Sequence, residues 1–113
     1  MPTFITIGYG DREGYERTAK SVRDAAHAND KVLQKDGALM GIAGAPVQVR
    51  NHGAAGVQTE GGPYMTAQLP VAGFAVIEAP DVAEAIRMVS QSPCAVAYGV
   101  IEVWPLEQPT DAA

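Results

Sequence analysis

The stretch Val71-Ala72-Gly73-Phe74-Ala75-Val76-Ile77-Glu78, followed at once by Ala79-Pro80-Asp81-Val82-Ala83-Glu84-Ala85-Ile86-Arg87-Met88-Val89, decides the fold. Its first eight residues carry β-branched and aromatic side chains at both odd and even positions, the pattern of a strand with two apolar faces. Asp81 then opens a helix as N-cap, and Glu84 three residues later completes a capping-box pattern. Val82, Ala85, Ile86 and Val89 form the inward stripe of that helix. Pro93 fixes its end, because Ser92 before it is pushed out of helical geometry. Residues 96–104, Val-Ala-Tyr-Gly-Val-Ile-Glu-Val-Trp, read as a closing strand. The stretch is therefore a β-α-β unit.

Upstream the order repeats. Residues 3–8, Thr-Phe-Ile-Thr-Ile-Gly, are a first strand, and residues 15–35 show helical periodicity. Turning about 100° per residue, Tyr15, Ala19, Val22, Ala26 and Leu33 fall on one stripe, with Arg17, Lys20, Asp24 and Lys31 opposite. Gly37 suits the position after that helix, where a left-handed residue is wanted. Residues 38–42 form a short strand. Residues 47–50 and 57–59 read as a hairpin around Asn51-His52-Gly53, which Gly61-Gly62-Pro63 interrupts. The order predicts an α+β, ferredoxin-like βαββαβ sandwich with an extra β-hairpin. It predicts one domain over 1–107 and a flexible tail over 108–113.

The alternation within the strands adds a partner. Val71, Ala75 and Ile77 face one way while Ala72, Phe74 and Val76 face the other; in the closing strand Ile101 and Val103 oppose Tyr98, Val100 and Trp104. Two helices cover one face of such a sheet. The second face is expected to lie against another copy of the same sheet, in a homodimer.

Composition narrows the function classes. The chain has 113 residues, 47% of them apolar, enough to fill a core. Eight Lys plus Arg against thirteen Asp plus Glu give a net charge of −5. Residues 51–113 hold seven acids and a single base, Arg87. Nucleic-acid binding, which needs concentrated positive charge, is not expected. Cys94 is the only cysteine, so neither an internal disulfide nor a cysteine-pair zinc site can form. It is expected as a small buried side chain at a strand start. No apolar run reaches the roughly 18 residues of a membrane span, and Met1-Pro2-Thr3-Phe4 lacks the features of a signal peptide. A cytoplasmic location is the expectation. Gly8-Tyr9-Gly10 and Gly14 do not match the spacing of a dinucleotide-binding turn.

The segments Gly62-Pro63-Tyr64, Val71-Ala72-Gly73-Phe74, Asp81…Glu84-Ala85-Ile86, Ser92-Pro93-Cys94 and Ile101-Glu102-Val103-Trp104-Pro105-Leu106 resemble the YCII-related family. More narrowly, they resemble the branch named for an Asp-Gly-Pro-Phe signature. The resemblance runs from the first strand to about Glu107 and is strongest over 61–106. It implies a ferredoxin-like fold assembled as a dimeric α/β barrel. It also implies a cavity for small molecules such as chlorinated aromatic intermediates, and an acid/base histidine on the first helix, for which His27 is the matching position. The sequence departs from the signature at Gly61, where the family has Asp, at Tyr64, where it has Phe, and at Met65-Thr66-Ala67-Gln68, which replaces a Glu-Thr-Lys-Glu run.

The candidate residues follow. His27 is the one histidine on regular structure, and histidine is the side chain suited to acid/base work at neutral pH. It reads either as an exposed histidine paired with Asp24 or Asp30, or as a general acid or base beside a cavity. Asp36 is a candidate carboxylate partner for it, set in a last helical turn where the helix dipole disfavours an acid. Glu60, next to Gly61, is a candidate stand-in for the missing signature carboxylate. Amides around Gly61 and Gly62 are candidate oxyanion donors. Tyr64, Phe74, Tyr98 and Trp104 are expected on the sheet face away from the helices, as dimer core or as walls of a pocket for a small ring compound. His52, at the hairpin tip, shares no ligand spacing with His27, so no metal is expected, and no organic cofactor is. Two readings stand: a cofactor-independent enzyme of proton-transfer type (lyase, isomerase or dehydrochlorinase), and a non-catalytic module that binds a metabolite or a protein.

Overall fold

A computed structural model of the chain describes residues 1–108. Of the tail expected to be flexible, residues 109–113 lie outside the described residues. The strands are β1 (Thr3–Tyr9), β2 (Leu39–Ile42), β3 (Val47–Arg50), β4 (Gln58–Gly61), β5 (Val71–Glu78) and β6 (Val100–Pro105). The helices are α1 (Arg12–Glu16), α2 (Lys20–Lys35), α3 (Val82–Val89) and α4 (Pro93–Val96). Four strands pair antiparallel in the order β2-β5-β1-β6, and β3 and β4 form a separate antiparallel pair. This is a mixed α+β fold whose strand order is compatible with a ferredoxin-like sheet. No described helix is long and apolar enough to cross a membrane.

One face of the sheet is covered by helices. Phe4, Ala75 and Ile77 meet Ala79, Ala85 and Val89 in the core, with Met40, Met88, Ile101 and Val103 packed around them. Ile77 is 1% exposed, and burying such a side chain contributes about 2–3 kcal/mol. Asn29 of α2 donates to the Met88 carbonyl of α3 at 3.1 Å, tying the two helices into one layer. The opposite face is bare: Phe74, Val100 and Trp104 are each about half exposed. In the register, Tyr9 pairs with both Val71 and Val100 after a shift between Gly8 and Tyr9. On this open face the Tyr9 hydroxyl donates to Glu102 Oε1 at 2.7 Å, and Trp104 Nε1 donates to the same oxygen at 3.4 Å.

Several local readings hold and several change. Asp81 caps α3, its Oδ1 accepting the Glu84 amide at 2.8 Å, whereas the Glu84 carboxylate turns to Arg87 instead of closing the box. Gly37, at φ 108°, ends α2 in a Schellman arrangement: Ala38 N bonds Leu33 O at 2.9 Å and Gly37 N bonds Gln34 O at 3.1 Å. The single helix expected over 15–35 is two. Asp11 caps α1 through the Gly14 amide, the chain turns at 17–19, and α2 starts afresh at Lys20. Contact with the end of α4 explains the break. A Cβ on Gly14 would stand 2.5 Å from the Ala97 carbonyl, so α1 lies directly on that backbone, an alignment a straight helix from 15 to 35 would not give. Ala19 and Val22 are consequently exposed, and Ala26 and Leu33 alone of the expected stripe are buried. In α3, Ala85 and Val89 are buried while Val82 and Ile86 are exposed, so the inward stripe is narrower than expected.

The last strand also starts later than residue 96. Pro93 sits at the first position of α4 rather than merely ending α3, since its ring fixes helical φ where an amide is not needed. Cys94 therefore lies in a helix turn and not at a strand start, and it is partly buried. Tyr98 precedes the strand, with φ 63°, and its ring lies under Arg17 at 3.8 Å. It is thus not part of the β6 alternation.

Candidate functional site

The α2 helix and the sheet do not close completely, and the gap between them is a cavity of about 370 Å³. Its floor is Thr6, Met40, Ala75, Ile77 and Ile101, its far wall Val89 and the α4 start, and its near wall the α2 residues His27, Asp30, Leu33 and Gln34. The spacing i, i+3, i+7 of His27, Asp30 and Gln34 puts these three polar groups along one edge of the helix. A neighbouring glycine makes room for α4 here. A Cβ on Gly8 would stand 2.9 Å from Cys94 Sγ, so the thiol sits directly on the β1 backbone.

Along this wall His27 and Gln34 are exposed and Asp30 is half-buried. Burial pushes the Asp30 carboxyl above the usual carboxylate range, against the opposing pull of His27. Burial, and then the Asp30 charge, push the Cys94 thiol up as well. Asp24, on the outer side, is held low by its bond to Lys20 at 2.7 Å and by the nearby positive groups. The site thus offers a carboxyl that binds protons more readily than usual, one turn from an imidazole. Such a pair suits proton transfer. Among the described residues, no three His, Cys, Asp or Glu side chains cluster closely enough to hold a metal ion.

His27 itself is held from outside the cavity. Its Nε2 lies 2.8 Å from the Tyr15 hydroxyl, with the ring centroids 5.9 Å apart, and Arg23 stacks 4.9 Å above the Tyr15 ring.

The other expected residues disperse. Asp36 is the C-cap of α2, nine positions after His27, which places it about 13 Å along the axis and half a turn away from the imidazole. Glu60 ends in an ion pair with Arg50 at 3.5 Å. Gly62 and Tyr64 line a second recess of about 360 Å³ beside Arg50, within the β3–β4 region. Phe74 borders the His27 cavity at the β2–β5 edge while remaining half exposed on the open face, where Trp104 also lies. His52 sits in the 3-10 turn His52–Ala54 between β3 and β4, at the tip of that pair. The structure therefore joins His27 and Phe74 to one cavity and leaves Asp36, Glu60, Gly62, Tyr64, Tyr98 and Trp104 outside it. Asp30, rather than Asp36, is the carboxylate beside the imidazole. The signal for it was the three-residue spacing from His27 on the same helix edge.

A search of curated proteins found no match to this sequence. Comparison with protein families matches residues 3–108 to the YCII-related domain. That span takes in all six strands and all four helices just described, and the chain belongs to the YCII-related family.

Proposed function

We propose that the protein is a cofactor-independent enzyme that moves a proton on a small, mostly apolar molecule held between α2 and the sheet. The observation that carries this reading is the placing of His27 and Asp30 together on the wall of an otherwise apolar cavity. One member of the pair removes a proton from the carbon next to a carbonyl group, and the other donates a proton to the carbonyl oxygen as the C=O π pair moves onto it. The C–H electron pair moves into the new double bond. The enol proton then returns to its donor as the C=O re-forms, and the released electron pair either takes up a proton at a neighbouring carbon, completing an isomerisation, or expels chloride with its bonding pair from the next carbon, completing a dehydrochlorination. The resemblance to the Asp-Gly-Pro-Phe branch supports this class of chemistry, and Cys94 and Thr6 supply the remaining polar edge of the cavity.

The homodimer belongs to the same reading. Phe74, Val76, Val100 and Trp104 on the bare face, joined by the exposed Leu39, supply a contiguous apolar patch of the kind that marks an interface. A second copy of the sheet, as in a dimeric α/β barrel, is the cover of matching shape. Glu60 on β4 and Tyr64 just beyond it are exposed and open to such a partner, with Gly62 between them half-buried. Asp36 takes no part in the acid/base pair in this reading. A cytoplasmic location, with the domain over 1–107, fits a small-molecule enzyme of this size.

The test is a thermal-shift screen with hydroxylated and chlorinated aromatic compounds, followed by turnover assays on each binder. Wild-type protein is expected to convert at least one binder, and His27→Gln and Asp30→Asn are each expected to reduce that rate by about 100-fold or more. Unchanged turnover in His27→Gln defeats the proposal. Binding without turnover by the wild type supports instead a non-catalytic metabolite-binding module that uses the same cavity.

A further inference from the structure

The break between α1 and α2 has a chemical result. In an unbroken helix, Tyr15 and His27 would lie twelve residues and about 18 Å apart along the axis. The turn at 17–19 folds α1 back so that the Tyr15 hydroxyl reaches Nε2 of His27 at 2.8 Å. The Tyr15 end of this contact is held. Gly14, next to Tyr15, is pinned against the Ala97 carbonyl, and Thr18 donates to the Gly14 carbonyl at 2.8 Å. Arg23 caps the ring at 4.9 Å with its Nε buried and without a protein partner among the described residues. The phenol is therefore not a passing neighbour of the imidazole.

A hydrogen bond to one imidazole nitrogen decides which nitrogen of the neutral ring carries the proton. A phenol is a far stronger acid than a neutral imidazole N–H, so in a phenol–imidazole contact the O–H donates and the ring nitrogen accepts. The Arg23 guanidinium over the π face helps keep the Tyr15 ring in place. We propose that Tyr15 is a positioning residue whose hydroxyl donates to Nε2 of His27 and holds the neutral imidazole in the Nδ1–H form. This rests on the acid/base reading of the cavity and assigns the two roles within it. Nδ1–H donates to the substrate oxygen, and the Asp30 carboxylate takes the proton from carbon. The groups that face His27 in this arrangement are Tyr15 and Arg23 on the outer side and Asp24 and Asp30 on its own helix.

The experiment is long-range ¹H–¹⁵N NMR of the histidine side chains in ¹⁵N-labelled full-length protein, at a pH about two units above the ordinary imidazole range. The two histidines serve as test and reference, because His52 stands on the exposed β3–β4 tip. His27 is expected to show mainly Nδ1–H, and His52 mainly the Nε2–H form that free imidazole side chains favour. Tyr15→Phe, which keeps the ring beneath Arg23 and removes one oxygen, is expected to shift the His27 tautomer ratio toward Nε2–H by about fivefold, the size one ordinary hydrogen bond carries. The amide spectrum of the variant reports whether the fold is kept. A wild-type His27 in the Nε2–H form overturns the proposal without need of any variant, as does a Tyr15→Phe ratio that matches wild type. Neither readout requires turnover. A protein that proves inactive in the screen above thus removes the acid/base reading and leaves the tautomer assignment to stand or fall on its own spectrum.

Discussion

The two faces of the four-stranded sheet are built from the same residue types and end in opposite states. On β5, Ala75 and Ile77 are buried under α3, while Phe74 between Gly73 and Ala75 is half exposed. On β6, Ile101 and Val103 join the core while Val100 and Trp104 stay in solvent. The covered face is not fully packed either, since it keeps a cavity edged by His27 and Asp30. Apolar alternation therefore says which residues share a face. It does not say which face is filled by the chain itself, which is left for a partner, and which is kept open for a small molecule.

The contrast can be broken most sharply within a single strand. Ile77→Ala is expected to cost about 3–4 kcal/mol in urea unfolding, the cost of a cavity in a core that cannot collapse onto it. Phe74→Ala, three residues away on the other face, is expected to cost less than about 1 kcal/mol when both are measured dilute enough to unfold as monomers. Equal costs would mean that the open face is supported within the chain. The next largest effect concerns the partner. Wild-type protein is expected to sediment at twice the 11.8 kDa chain mass at micromolar concentration. Phe74→Glu combined with Trp104→Glu is expected to weaken that association by about 100-fold, because the two carboxylates would be buried without counter-charges. A monomeric wild type would remove the dimer from the proposal and leave the cavity untouched.

The smallest effect lies on the covered face and depends on pH. In the folded protein Asp30 holds its proton to a higher pH than in the unfolded chain. Across that window the folded state binds more protons, so this group's contribution to stability falls as pH rises through it. Asp30→Asn carries no such penalty. The variant is expected to melt a little above wild type at neutral pH, with the gap closing as pH falls toward the ordinary carboxylate value of about 3.9. A gap that widened on acidification would place Asp30 in a polar setting and count against the partial burial that raises its proton affinity.

Much of the fold could be read before any coordinates. The strands at 3–8 and 71–78, the Asp81 cap and the Gly37 terminus depend on neighbours within a few residues, and local chemistry decides them. The break at 17–19 could not be read, because its cause is the Ala97 backbone some eighty residues on, against which Gly14 must fit. The α4 turn was missed for a related reason: Pro93 is equally suited to ending one helix and beginning another. At the site, helical periodicity carried His27 to the edge of the apolar stripe, and the cavity lies there. Asp36 stands out by its unfavourable place near a helix end, and the structure keeps it there as the α2 C-cap residue, outside the cavity. Tyr15 was read as one more member of the stripe. Its meeting with His27 depends on the same long-range break, so no spacing rule within the helix could have found it.

The β3–β4 pair gives the molecule a radius of gyration of 16.4 Å, where a compact chain of this length has about 13 Å. Its roots are close together. Ala43 N bonds Ala72 O at 2.9 Å just beyond the last β2–β5 rung, and Gly10 N bonds Pro70 O at 3.1 Å at the strand's other flank. In the topology of the sheet, β2 and β5 are thus the two arms of one hairpin, and residues 44–69 are its turn grown to hold a ladder of its own. Closing a loop grows costly only with the logarithm of its length, so lengthening such a turn asks little of the sheet beneath. The insertion is therefore a unit that evolution or an engineer can lengthen, shorten or exchange while the strands carrying the cavity keep their register.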